Sequence, residues 1–160
     1  MDRIDRFVAY SELVGNVNTI IPAAEIEEEV GKGTAQKRYV KAHRFGLEPL
    51  QPDIDEKGIN EAVVEADYAI AETGTVVLDS ADEKLRLATC LAEKLTVLVE
   101  GSRVKEKLED VVDFLEERSR KENGYIAFIT GASRTADIER VLTIGVHGPR
   151  EMQVIIVEDM

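Results

Sequence analysis

The chain has 160 residues, 44% of them apolar and 32% charged, which suits one soluble globular domain with a proper core. Its 32 acidic residues against 20 basic ones leave a net charge of −12, a field that repels phosphate backbones and anionic lipid and argues against nucleic acid or membrane as partners. The single cysteine, Cys90, excludes an intramolecular disulfide, a cysteine-built zinc site and an iron–sulfur cluster held by this chain alone, and no cofactor is expected within it.

In chain order, Ile4, Phe7, Val8 and Leu13 have loose helical spacing. "MDRIDRFVAY" lacks the apolar centre of a secretory leader, and the apolar runs are too short to span a bilayer, so a cytoplasmic location is expected. "NVNTIIPA" reads as a short strand ended by Pro22, and "AEIEEEVGKG" as an acidic helix stopped by Gly31 and Gly33. "EPLQPDIDEKG" is a loop that divides an N-terminal part, residues 1–59, from a core over 60–160 in one domain of 1–160. "INEAVVEA" has helical spacing, "DYAIAET" and "TVVLDS" read as strands around Gly74, and "ADEKLRLATCLA" as a helix in which Cys90 is a small buried apolar residue.

"KLTVLVEG" is a nearly continuous apolar strand, of the kind buried on both faces of a parallel sheet. Between Ser102 and Asn123, Val104, Leu108, Val111, Val112 and Leu115 form one helical stripe, with Ser102 as N-cap and pairs Glu116–Arg120 and Glu117–Lys121 on the opposite face. "YIAFITG" is a strand, a helix is expected from about Arg134 to Leu142, and "MQVIIVED" is the last strand. Strands alternating with helices predict an α/β fold with a mainly parallel sheet. Ligands in such folds gather beyond the C-terminal strand ends, where the turns at Glu72–Thr75 and Gly131–Thr135 are expected.

Three turns hold the candidate chemistry. In "TGASRTAD", Gly131 permits a tight turn, Ser133 and Thr135 offer hydroxyls, and Arg134 offers a planar cation for a carboxylate or phosphate. Ser133 as a helix cap and Asp137 as a first-turn acid are the structural alternatives. In "GVHGPR", Gly148 and Pro149 enforce a bend beside His147, a proton donor or acceptor near neutral pH, and Arg150. In "IAETGT", Glu72 is a candidate base or nucleophile, while Thr73, Gly74 and Thr75 suit either an anion-binding turn or a plain β-turn. None of these matches a P-loop or a GxGxxG fingerprint.

Taken together, "AETGTVVLDS", "LTVLVEGSRV", "FITGASRTADIE" and "GVHGPRE" resemble the LUD-domain family, whose best-known members are lactate-utilisation protein C subunits. The likeness covers roughly residues 60–157, and Ala132 stands where many members carry proline. The resemblance implies a three-layer α/β/α fold like that of ribose-phosphate isomerases, glucosamine-phosphate deaminases and CoA transferases. It also implies an accessory role in oxidising L-lactate, or a related 2-hydroxy acid, to pyruvate beside sister subunits that bear iron–sulfur clusters. The signature falls on Thr73, Gly74, Thr75, Gly131, Ser133, Arg134, Thr135, Asp137, Gly148 and Arg150, as candidate binders of a small anionic molecule, and on His147 as a candidate catalytic residue beside Glu72. A free-standing isomerase- or CoA-transferase-like enzyme with Glu72 at its centre stays open, as do a ligand-binding regulatory module and a homo-oligomer.

Overall fold

The computed structural model of the chain describes residues 1–33, 38–50, 58–132, 136–138, 141–143 and 148–160, the runs 136–138 and 141–143 as backbone. Asp2 caps helix α1 (Arg3–Leu13) by accepting the Arg3 N–H at 2.6 Å, and Gly15, at φ +88°, turns the chain out of it. Strand β1 (Val17–Ile21) runs to Pro22, and the acidic segment beyond forms a short 3-10 turn and helix α2 (Ile26–Gly31). Strands β2 (Arg38–Lys41), β3 (Ile59–Glu65), β4 (Tyr68–Ile70) and β5 (Thr75–Asp79) follow. Helix α3 (Glu83–Leu91) passes directly into β6 (Ala92–Glu100). Then come β7 (Val104–Lys105), α4 (Val112–Ser119), β8 (Ile126–Ile129), β9 (Ala136–Ile138), β10 (Val141–Thr143) and β11 (Glu151–Val157).

Five parallel strands, in the order β1-β11-β6-β3-β2, make the central sheet. A second sheet of four, in the order β7-β4-β5-β8, is antiparallel except between β4 and β7. Leu95, Val97 and Val99 of β6 and Met152, Val154 and Ile156 of β11 face Phe7, Leu85, Ala88, Ala69 and Val76, so α1, α3 and the second sheet cover one side. On the other side Leu98, Ile155 and Val157 meet Ile26 and Val30 of α2. Helix α4 covers the outside of the second sheet, where Phe114 stands edge-on to Tyr68 with centroids 5.1 Å apart. The architecture is therefore the expected α/β fold, a parallel central sheet flanked by helices.

Four local expectations need correction. "INEAVVEA" is strand β3: Ala62, Val63 and Val64 are consecutive and all buried between β2 and β6, so the alternation that announces a strand is missing. Residues 102–123 do not form one helix. Val104 sits in β7 paired to Ala69, Leu108 begins a 3-10 turn, and α4 starts only at Val112. The chain there is held extended by Ala71 and Glu72, whose N–H groups donate to the Lys105 and Glu106 carbonyls. Ser102 consequently lies inside a 3-10 turn and caps no α-helix, although Glu116–Arg120 and Glu117–Lys121 do pair, at 3.5 and 3.7 Å.

In place of the helix expected from Arg134 to Leu142, β9 and β10 pair antiparallel, with Asp137 opposite Leu142. A run this short, with Ile138, Val141 and Thr143 branched at Cβ, favours a ribbon. Finally, the turns at Glu72–Thr75 and after Ile129 end strands of the second sheet, not of the parallel one. The C-terminal edge of the parallel sheet is bridged by ion pairs: Arg44 lies 3.6, 3.7 and 3.9 Å from Glu65, Asp67 and Glu100, and Arg103 lies 2.7 Å from Glu100.

Candidate functional site

The turn segments meet at the opposite, N-terminal edge of the central sheet. A cavity of about 440 Å³ opens there between α3, β8 and the turn that leads into β11. Gly131, at the end of the "ITG" run, and Gly148 with Pro149, before β11, line the same space. Two signature segments that are separate in sequence thus share one cavity.

Helix α3 is positioned by its cap. The Asp82 carboxylate accepts the Lys84 N–H at 2.8 Å and the Leu85 N–H at 3.4 Å, and it pairs with Lys41 at 2.8 Å. The Lys41 hydrogen bond is the main reason that the Asp82 carboxyl is held below its ordinary range. With Leu85 and Ala88 turned to the core, Arg86, Thr89 and Cys90 fall at i, i+3 and i+4 and present one face to the cavity. Arg86 Nη1 donates to the Ser80 and Ala81 carbonyls at 2.8 and 3.0 Å, and the guanidinium lies 5.3 Å from the Tyr125 ring centroid. Cys90, expected to be buried, is exposed at this wall because the core-facing stripe of α3 runs through Leu85 and Ala88 instead.

The β8 wall is anchored from beneath. Asn16 Nδ2 donates to the Ser11 hydroxyl and to the Thr130 carbonyl, both at 3.0 Å, tying the end of α1 to the end of β8. Thr75 and Thr130 hydroxyls lie 2.9 Å apart. A Cβ on Gly131 would stand 3.2 Å from Val14 Cγ2 and 3.3 Å from Asn16 Oδ1, so the turn packs closely on the start of β1. The Arg150 N–H donates to the Glu93 carbonyl at 2.8 Å and fixes the third wall to β6, while the Arg150 residue is exposed.

Not every signature residue joins the cavity. Glu72 Oε1 accepts the Leu108 N–H at 3.1 Å, capping the turn ahead of α4, and Glu72 is not among the cavity-lining residues. Thr73 is exposed. Gly74, at φ +64°, faces the backbone of Ser11, where a Cβ would come within 2.5 Å of its nitrogen, so packing alone explains the glycine. Asp137 is placed on β9 by its backbone. Ser133, Arg134, Thr135 and His147 lie outside the described residues. The sequence reading missed Ser80, Arg86, Thr89 and Tyr125, which line the cavity; the i, i+3, i+4 spacing on α3 was the available signal. Among the described residues no group of His, Cys, Asp and Glu could hold a metal ion, and no helix is long and apolar enough to cross a membrane.

The family model described as LUD domain matches residues 24–157. The lactate utilization protein C of Deinococcus radiodurans is 29% identical over 167 aligned residues, covering 96% of this chain and 76% of that one. The protein of the same name from Bacillus pumilus is 37% identical over 101 residues, 61% of this chain and 42% of its own length. The chain spans less than half the length of that relative and of similar ones from Geobacillus. A solved DUF162 family protein from Deinococcus radiodurans shares the fold, with a TM-score of 0.71 at 22% identity and 98% of each chain covered.

Proposed function

Because the chain belongs to the LUD domain family, we propose that it is an accessory subunit of a multi-protein system that oxidises L-lactate, or a related 2-hydroxy acid, to pyruvate. The cavity at the N-terminal edge of the parallel sheet is its site for a small anionic ligand. The observation that carries this reading is the convergence of Gly131 and Gly148–Pro149, from two signature segments, on one space. Relatives named for lactate utilization support the system to which it is assigned.

Removing hydrogen from the C2 carbon and its hydroxyl releases a pair of electrons and two protons. A chain with one cysteine has no thiolate set to hold a cluster, so this reading gives the electrons to iron–sulfur clusters on sister subunits. Arg134, close after Gly131 in sequence, is assigned to the carboxylate, and His147, next to Gly148, to the hydroxyl proton.

Gentle anaerobic affinity purification from the source cells, with visible absorbance recorded on the eluate, tests the reading. A brown, cysteine-rich partner in near-equal amount is expected, with lactate-dependent bleaching of the colour. A colourless chain that elutes alone and isomerises a sugar phosphate or transfers CoA unaided would overturn it in favour of a free-standing enzyme.

A further inference from the structure

The cavity is larger than lactate needs. A three-carbon acid fills roughly 100 Å³, on the ~30 Å³ share that each water takes in the liquid, against about 440 Å³ here. Spaces of this size hold ligands with rings or longer frameworks.

Its walls are chemically divided. Arg86 brings the positive charge, and among the described residues no carboxylate lies within 4.0 Å of it in a chain with 32 acidic residues. Its Nη1 is tied to backbone carbonyls, which fixes the guanidinium while leaving it without a carboxylate partner among the described residues. Ser80 lines the cavity beside it, wholly buried, and its hydroxyl has no hydrogen-bond partner among the described residues. A buried hydroxyl left unpaired is costly until something bonds it. Apart from Thr89, Cys90 and Thr130 the remaining side chains are apolar, Ala127, Ile129 and Pro149, and Tyr125 is 53% exposed.

We propose that the cavity selects a ring-bearing organic monocarboxylate over lactate itself. Its carboxylate is held by Arg86 and Ser80, and its ring lies against Tyr125. Among the described lining residues one guanidinium and no lysine, in a chain of net charge −12, match a single negative charge and disfavour a phosphate dianion. The inference rests on the ligand site of the preceding reading, gives the carboxylate to Arg86 in place of Arg134, and is independent of the partner subunits.

The test is calorimetric titration of the full chain with L-3-phenyllactate, L-lactate and the neutral 3-phenyl-1,2-propanediol. Cys90, the sole thiol, supplies a second readout through its rate of reaction with Ellman's reagent. Phenyllactate is expected to bind at least roughly tenfold tighter than lactate or the diol, since stacking and the charge-assisted bond each contribute on that scale, and to slow labelling of Cys90. Arg86→Gln is expected to weaken phenyllactate binding by roughly tenfold or more. Tyr125→Ser is expected to weaken phenyllactate alone, by several-fold. Should Arg86→Gln fail to fold, the wild-type selectivity and Tyr125→Ser still decide. Lactate binding as tightly as phenyllactate overturns the inference and leaves the preceding reading standing. Unchanged affinity in folded Arg86→Gln, or no binding of any probe and no protection of Cys90, also overturns it. Loss of the cluster-bearing partner with ring selectivity intact overturns only the preceding reading.

Discussion

The hydroxyls of Thr75 and Thr130 lie 2.9 Å apart, joining the first residue of β5 to the residue that follows β8. The two ends are unequal, for Thr75 is buried while Thr130 reaches solvent. Thr130→Val strands a buried hydroxyl and is expected to cost about 1–2 kcal/mol, whereas Thr75→Val leaves an exposed one that water satisfies and costs about 0.5 kcal/mol. Urea unfolding of both variants checks the order, and equal losses would contradict the assignment.

Glycine substitution separates a conformational requirement from a tolerated position. Gly74→Ala meets a positive φ and the Ser11 backbone together and is expected to lose about 2–4 kcal/mol. Gly31→Ala, at the end of α2, meets nothing within 4 Å and is expected to be neutral or to gain up to about 1 kcal/mol. Thermal melts of the pair, read at one protein concentration, make the comparison.

Tyr39 is buried in the main core, and burial pushes its phenol up to about 12. A raised value in the folded state means that folding favours the protonated form. The stability this group contributes is whole below pH ~10, the ordinary phenol range, and drains away as pH climbs toward about 12. Absorbance at 295 nm is expected to show a late-ionising step that Tyr39→Phe lacks. Because the Tyr39 hydroxyl has no partner among the described residues, the variant is also expected to be no less stable at neutral pH.

Asp82 behaves in the opposite sense. Its carboxyl is lowered, chiefly by the Lys41 hydrogen bond, so the stability it contributes is present above the ordinary carboxylate range and is lost as pH falls through the lowered value. Asp82→Asn keeps an N-cap acceptor but loses the ion pair with Lys41. With the carboxylate partly exposed, a loss of about 0.5–1 kcal/mol is expected at pH 7, fading to none in strong acid. Denaturant midpoints across that range follow the difference.

Much of the fold was legible where one physical signal acted alone. "KLTVLVEG" announced a buried parallel strand because a nearly continuous apolar run of that length has few other uses, and "MQVIIVED" was legible as the last strand. β3 was not legible, since "INEAVV" buried on both faces carries no alternation and its Ala62 and Val63 also fit a helix stripe. The segment from Val104 to Leu115 misled for a tertiary reason: its stripe is divided among a strand, a turn and a helix by hydrogen bonds from Ala71 and Glu72, partners remote in sequence. At the site, the turn glycines were visible in the sequence, whereas Arg86 and Ser80 matter through what the fold sets beside them.

Helix α3 and strand β6 share a boundary with no loop between Leu91 and Ala92. A hinge usually sits in a connecting loop, and with none here the α3 wall is coupled directly to the central strand of the sheet. The Arg150–Glu93 hydrogen bond adds a clasp to the start of β6. Whatever enters therefore meets a wall set before it arrives. Selection at such a wall is by fit, with little reorganisation to offset on binding and correspondingly little tolerance for a ligand of the wrong outline.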